Sequence, residues 1–179
     1  MYTEEEIWMV RWDETPLGHL DLFFSDQGLA VLEIRDPEDD VFPVIPGLIH
    51  SNLEGEPPAK VIDWVNNALG DLLRYFNGAA TAFSDIPLDL KGTPFQLQVW
   101  EALRQIPSGK TISYQELARR LGRPRAARAV GQACGANPIP LIIPCHRVIA
   151  SNGSLGGFSS GLAHKRWLLE HEQRHRGKA

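Results

Sequence analysis

The run Pro144-Cys145-His146-Arg147-Val148 sets a thiol beside an imidazole and a guanidinium. A thiol becomes a nucleophile where a base, a cation or a helix N-terminus favours its thiolate. His146 can accept the proton, and Arg147 adds positive charge. Taken alone, an intracellular cysteine is more often an inert buried side chain. Neighbours on an extended chain face opposite sides, so Cys145 and His146 would exchange a proton through a bridging water. Glu172 supplies a third member. It follows Leu168 and Leu169 by four and three positions on a helical stripe. A carboxylate on that face is at least partly buried and needs a partner, and His146 fits. A base oriented by an acid and a nucleophile activated by the base is the general triad logic. The alternative for Glu172 is a solvated residue at a frayed helix end.

The elements that must position these groups lie in residues 92–179. Pro138, Pro140 and Pro144 stiffen the approach to Cys145 and exclude a helix there, which predicts a buried, strand-like segment over 137–150. Upstream, Thr93-Pro94-Phe95-Gln96 reads as a helix start with a capping box. Phe95, Val99, Ala102, Leu103 and Ile106 form that helix's apolar stripe, and Pro107-Ser108-Gly109 ends it. A second capping box is expected at Ser113-Tyr114-Gln115-Glu116. It opens a short helix that Gly122-Arg123-Pro124 breaks, and a third helix is predicted from near Arg125. On that helix Ala126, Ala129, Val130, Ala133 and Cys134 mark the core face. Arg125, Arg128 and Gln132 lie opposite, with Ala127, Gly131 and Gly135 as a strip of small residues. Small side chains flanked by arginine let a helix approach a nucleic-acid groove closely, and helix–turn–helix is a DNA-reading shape. The alternative is a solvated helical hairpin. The last helix is expected over about 162–172.

Charge sharpens the division. Residues 1–89 hold 18 acidic and 4 basic side chains, and residues 90–179 hold 4 and 14, so a net −4 conceals an acidic half and a basic half. Segment 104–128 sets seven basic side chains against Glu116 alone, a density suited to phosphate contacts. Mutual neutralisation of the two halves is the plainer reading. In the acidic half, 7–12, 19–24 and 29–34 read as an antiparallel meander, with a turn at Thr15-Pro16-Leu17-Gly18. Residues 36–58 read as loop. A helix over 58–76 shows the stripe Val61, Ile62, Val65, Leu69, Leu72, Leu73 and Phe76 and should pack on the sheet. Residues 77–91 read as a linker. His19 and His50 are isolated and are assigned structural or solvent roles. With two cysteines and no CxxC pair, a disulfide scaffold is excluded and a zinc site is poorly supported. No apolar run is long enough to span a membrane, and an acidic N-terminus is unlike a secretory signal. A cytoplasmic protein is expected.

The sequence resembles the O6-alkylguanine-DNA alkyltransferases. The resemblance covers about Gly92 to Glu172. It rests on Pro-Cys-His-Arg-Val, Thr111-Ile112-Ser113-Tyr114, Arg128-Ala129-Val130-Gly131, Asn137-Pro138, Gly156-Gly157 and the closing Leu168-Leu169-Glu170-His171-Glu172. It implies that O6-alkylguanine in double-stranded DNA is the partner, that the base is flipped out through the minor groove, and that Cys145 takes the alkyl group once. Arg128 matches the residue that fills the gap left by the base. Tyr114 matches the one that helps rotate the nucleotide and hydrogen-bonds the base. Asn137 matches the hinge between recognition helix and active-site segment, and His146 (through water) and Glu172 the partners that hold the thiolate. Ser113, Tyr114, Arg125, Ala127, Arg128 and Gly131 are the expected DNA contacts. Cys134, Pro140, Val148, Gly156, Gly157, Phe158 and Ser159 are the expected base pocket. No metal or cofactor is implied. Phe158 stands where the family often has tyrosine, and Cys134 where it usually has an apolar side chain.

The expected fold class is α+β. Residues 1–91 would form a structural domain with a small antiparallel sheet and packed helix on a ribonuclease H-like plan. Residues 92–179 would form a mainly helical, winged helix–turn–helix-like domain carrying DNA binding and alkyl acceptance. A monomer is expected. The rivals are a recognition protein that does not repair, a regulator whose cysteine senses alkylation, and a cysteine hydrolase unrelated to DNA.

Overall fold

The computed structural model describes residues 7–36, the backbone of 49–51, 57–79 and 81–176. The chain divides into two compact units, Met1–Asn77 with Thr81–Leu90, and Gly78–Ala80 with Lys91–Ala179. The architecture is mixed α/β, with a small antiparallel sheet and helices.

In the first unit, strands β1 (Trp8–Thr15), β2 (Gly18–Ser25) and β3 (Gly28–Arg35) form the expected meander. Alternation sends Trp8, Val10, Leu20, Leu22 and Leu32 inward. The turn closes where Gly18 takes φ 90° and accepts from Thr15 Oγ1 at 2.6 Å. Strand β4 (Ile49–Ser51) pairs with β1, so the loop reading of 36–58 fails at 49–51. The rest of that stretch lies largely outside the described residues, as does the His50 side chain.

Helix α1 (Ala59–Phe76) differs from its expected stripe. Val61, Val65, Ala68, Leu72 and Tyr75 are buried, whereas Ile62 and Leu73 are exposed. Tyr75 brings an aromatic ring into the buried seam, set edge-on to Phe76 at 5.7 Å. Residues 81–90 are not a free linker. Leu29 N donates to Pro87 O at 2.8 Å and Asp89 N to Leu29 O at 2.9 Å, and Phe83 and Ile86 are buried. The segment thus pairs with the start of β3's open edge, at Leu29.

In the second unit, helix α2 (Pro94–Arg104) begins on the predicted capping box, with both Thr93 and Gln96 bonds made. Strand β5 (Ile112–Ser113) leads into α3 (Tyr114–Arg120), where only half of the second box forms. Ser113 Oγ accepts from Glu116 N at 3.0 Å, while the Glu116 carboxylate turns to Arg120 at 3.2 Å. Helix α3 ends in a Schellman motif: Arg123 N donates to Ala118 O and Gly122 N to Arg119 O, with Gly122 at φ 70°. Helix α4 (Ala127–Gly135) then buries Val130, Ala133 and Cys134 and leaves Arg128 and Gln132 exposed. Trp100 Nε1 fastens α2 to α4 by donating to Ala133 O at 2.8 Å.

The segment that carries Cys145 is not extended. Cys145–Arg147 is a 3₁₀ turn, followed by β6 (Val148–Ile149), which pairs in parallel with β5. The prolines all precede the turn, so none blocks its hydrogen bonds. Helix α5 (Leu162–Arg174) runs past its expected end and buries Lys165, Leu168, His171 and Glu172. Among the described residues no helix is long and apolar enough to cross a membrane.

Candidate active site

Parallel pairing of β5 with β6 sets Ser113 opposite Ile149 and so brings the start of α3 beside the 3₁₀ turn. Cys145 is buried. Its Sγ accepts from Asn137 Nδ2 at 3.2 Å, and the same amide group donates to Ile143 O at 2.8 Å. Asn137 Oδ1 accepts from Ile139 N at 3.0 Å. One buried asparagine thus holds both the thiol and the bend that delivers it.

His146 is fully enclosed, and its Nε2 lies 2.8 Å from Glu172 Oε1. A carboxylate only accepts, so Nε2 carries the hydrogen and Nδ1 keeps a lone pair. Nδ1 is buried and has no hydrogen-bond partner among the described residues. It is therefore the imidazole atom available for a proton. Glu172 is buried rather than frayed. Burial alone would raise its carboxyl, but the hydrogen bonds and charges of His146 and Arg147 outweigh that and hold it well below the usual carboxylate range. Burial pushes the Cys145 thiol up, against the opposing pull of the Asn137 amide and Lys165. Burial pushes His146 down, against the Glu172 carboxylate. Burial thus favours the neutral form of both the thiol and the imidazole.

A cavity of about 580 Å³ opens onto the thiol. Of the residues expected at the site, Cys145, Tyr114, Ala127, Arg128, Gly131, Cys134, Gly157 and Phe158 line it. Burial, then the proximity of both thiols, raises the Tyr114 hydroxyl, with the Gly157 backbone pulling the other way. Tyr114 is therefore a proton-bearing donor at neutral pH. Burial and the neighbouring Cys145 push the Cys134 thiol up to about 12. Phe158 stands edge-on to the His146 ring at 6.5 Å. Gly156, at φ 70°, packs so tightly that a Cβ there would meet the Tyr114 hydroxyl at 2.8 Å.

Other expected residues sit outside the lining. Ser113 caps α3, and Arg125 is exposed in the turn before α4. Pro140 is buried and bridged to Ile143, Val148 is buried in β6, and Ser159 is exposed. Helices α3 and α4 both contribute to the lining, with Arg128 of α4 its basic member; Arg119 and Arg120 of α3 and Arg123 of the connecting turn are also exposed.

Two functional side chains escaped the sequence reading. Lys165 is buried and donates to Val148 O at 2.7 Å and Gly157 O at 3.1 Å. Its amine is pushed down by burial, with the two thiols pulling it up. The signal was present, because Lys165, Leu168 and Glu172 share one helical stripe. Arg147 was read as charge beside the thiol, but its guanidinium is bound to Glu172. Among the described residues no cluster of three or more histidine, cysteine or acidic side chains is arranged to hold a metal.

Comparison with known proteins bears on this geometry. The family model for the 6-O-methylguanine DNA methyltransferase DNA-binding domain matches residues 94–174. A methylated-DNA–protein-cysteine methyltransferase of Shigella flexneri is 41% identical over 160 residues, which cover 88% of this chain and 91% of that one. This chain belongs to the methylated-DNA–protein-cysteine methyltransferase family. The methyltransferase of Mycolicibacterium paratuberculosis is 45% identical over 84% of this chain and 90% of its own. The crystal structure of Mycobacterium tuberculosis OGT in complex with DNA superposes with a TM-score of 0.72 at 39% identity, covering 92% of each chain. The match with these methyltransferases extends through the N-terminal unit, where the sequence carries no chemical motif.

Proposed function

We propose that this protein is a direct-reversal DNA repair methyltransferase that moves the alkyl group of O6-alkylguanine in double-stranded DNA onto Cys145, once per molecule. The observation that carries the reading is the Cys145 thiol, held by Asn137 and lining a cavity that Tyr114 of α3 and Arg128 of α4 also line. The proton leaves Cys145 through a bridging water for His146 Nδ1, and Glu172 steadies the imidazolium. The sulfur attacks the alkyl carbon, an S–C bond forms, the O–C bond to guanine breaks, and the electron pair departs with the base. Tyr114 offers its hydroxyl to the charge that develops there. The product is a thioether that no neighbouring group cleaves, so the molecule is consumed.

The base reaches the cavity by flipping. This costs a few kcal/mol, and less where alkylation has weakened the pair. Helix α4 enters the groove on its small residues Ala127 and Gly131, with Ser113 and Arg125 on the backbone, and Arg128 fills the gap. Cys134, Pro140, Val148 and the loop of Gly156, Gly157, Phe158 and Ser159 wall the base. In this reading 92–179 is a winged helix–turn–helix domain for DNA binding and alkyl acceptance, and 1–91 a ribonuclease H-like structural domain. The protein works as a cytoplasmic monomer and needs no cofactor. The test is intact mass and peptide mapping after incubation with O6-methylguanine DNA. One methyl group confined to the Cys145 peptide is expected. Repeated turnover on unmodified protein, or no adduct, overturns the reading.

A further inference from the structure

The Glu172 carboxylate is shared. Oε1 receives His146 Nε2 at 2.8 Å and Arg147 Nη2 at 2.8 Å. Oε2 receives Arg147 Nε at 3.0 Å and the Gly109 amide at 2.9 Å. Arg147 Nη1 in turn donates to Ile106 O at 2.5 Å, which locks the guanidinium in place. The carboxylate and imidazole side chains are at most 1% exposed and the guanidinium 9%. One negative charge therefore faces one fixed positive charge and one titratable ring, out of water.

A lone buried carboxylate against that ring would favour the imidazolium. In that form both ring nitrogens carry hydrogen, and Nδ1 can accept nothing. With the guanidinium on the same two oxygens, the Glu172–Arg147 pair is neutral overall, which weakens the pull toward the imidazolium. The carboxylate still orients the ring and still stabilises the cation once it forms. We propose that Arg147 is a positioning residue that, by sharing Glu172, keeps His146 a neutral base able to take a proton at Nδ1. This rests on the proposed function for its purpose, though not for its test. The charged and titratable groups around His146 are Glu172 and Lys165 from α5 and Cys145 and Arg147 from its own turn. Helix α2 and the turn after it add the Ile106 carbonyl and the Gly109 amide.

Removing a nearby positive charge makes every neighbouring proton harder to lose. In Arg147→Met, the His146 protonation midpoint, read by nitrogen chemical shifts of the full-length labelled protein, should rise by about one unit or more. The acid limb of alkyl transfer to a free O6-benzylguanine base should move the same way, whichever of Cys145 and His146 holds the proton. Arg147→Lys keeps the charge but loses the fork, so on both readouts it should lie closer to wild type than Arg147→Met does. Leaving Glu172 buried against fewer partners can unfold the single variant, so Glu172→Gln is compared with Glu172→Gln/Arg147→Met. The midpoint should again be higher without the guanidinium. Equal His146 midpoints in either comparison, or an Arg147→Lys protein that behaves as Arg147→Met does, overturn the proposal. The spectroscopic readout needs no substrate, so its failure leaves the alkyl-transfer reading to be judged by the Cys145 adduct.

Discussion

Lys165 Nζ donates to Gly157 O at 3.1 Å, from the buried face of α5 to the loop that walls the cavity. The same ammonium holds Val148 O at 2.7 Å and lies 5.9 Å from the centre of the Tyr114 ring. One side chain ties the loop, the β6 strand and the tyrosine together, and its charge favours the Cys145 thiolate.

Replacing Lys165 with Met should therefore act on chemistry more than on folding. Two carbonyls lose a donor, which costs about 1–3 kcal/mol each when buried. Removal of a buried ammonium offsets part of that. The expected outcome is single-turnover alkyl transfer slowed by an order of magnitude or more, on DNA and on free base alike. Amide exchange at Gly157 and Phe158 should quicken. Unchanged rates would show the lysine to be a structural clamp only.

Gly156 tests the wall from the other side. A Cβ at this position would stand 2.8 Å from the Tyr114 hydroxyl and 2.9 Å from its Cε2, on a backbone with positive φ. Gly156→Ala should displace the ring and slow reaction with a bulky O6-benzyl substrate more than with O6-methyl. Adding Tyr114→Phe removes the hydroxyl clash but not the ring contact, so it should restore only part of the loss. Equal slowing of benzyl and methyl substrates would place the effect elsewhere.

Much of this site was legible because it obeys helical periodicity. Glu172 sits on the α5 stripe, and burial at that position is what forces its pairing with His146. The cap of α2 and the buried Val130, Ala133 and Cys134 of α4 followed from residue type and spacing, whereas Ala126 and Ala129 of the same expected face are half-buried. What was not legible depends on contacts between distant residues. Arg147 meets Glu172 across 25 positions. The Arg11–Asp21 pair, bonded at 2.5 and 2.7 Å, is set by the cross-strand register of β1 and β2. The backbone bonds from Pro87 and Asp89 to β3 leave no trace in side-chain type. The 3₁₀ turn at Cys145 was missed because three prolines argue against a helix, although all of them lie before it.

In the proposed reading, Arg128 separates extrusion of the base from its chemistry. It is exposed at the cavity lining on α4, where it can reach DNA without touching the thiol relay. Arg128→Ala should slow repair of O6-methylguanine in duplex DNA by more than tenfold, the scale of about 1.4 kcal/mol. Reaction with free O6-benzylguanine should stay within a few-fold of wild type. Equal losses on both substrates would remove Arg128 from the flipping step.

The pH dependence of stability follows from His146. Burial lowers its folded value against the pull of Glu172, while the unfolded chain takes up the proton near pH ~6.5. Below that pH the unfolded state binds more protons than the folded one, so stability is lost as pH falls. A His146→Gln variant lacks this term and retains the other histidines. The advantage of wild type over the variant should therefore shrink between pH 7 and pH 5 by up to about 2 kcal/mol, one proton bound only by the unfolded chain. The window lies above the ordinary carboxylate range, so Glu172 stays ionised in both proteins. Urea unfolding at several pH values measures the difference directly. A gap that widens toward pH 5 would mean that the folded ring is charged, and with it that Glu172 rather than Arg147 governs the imidazole.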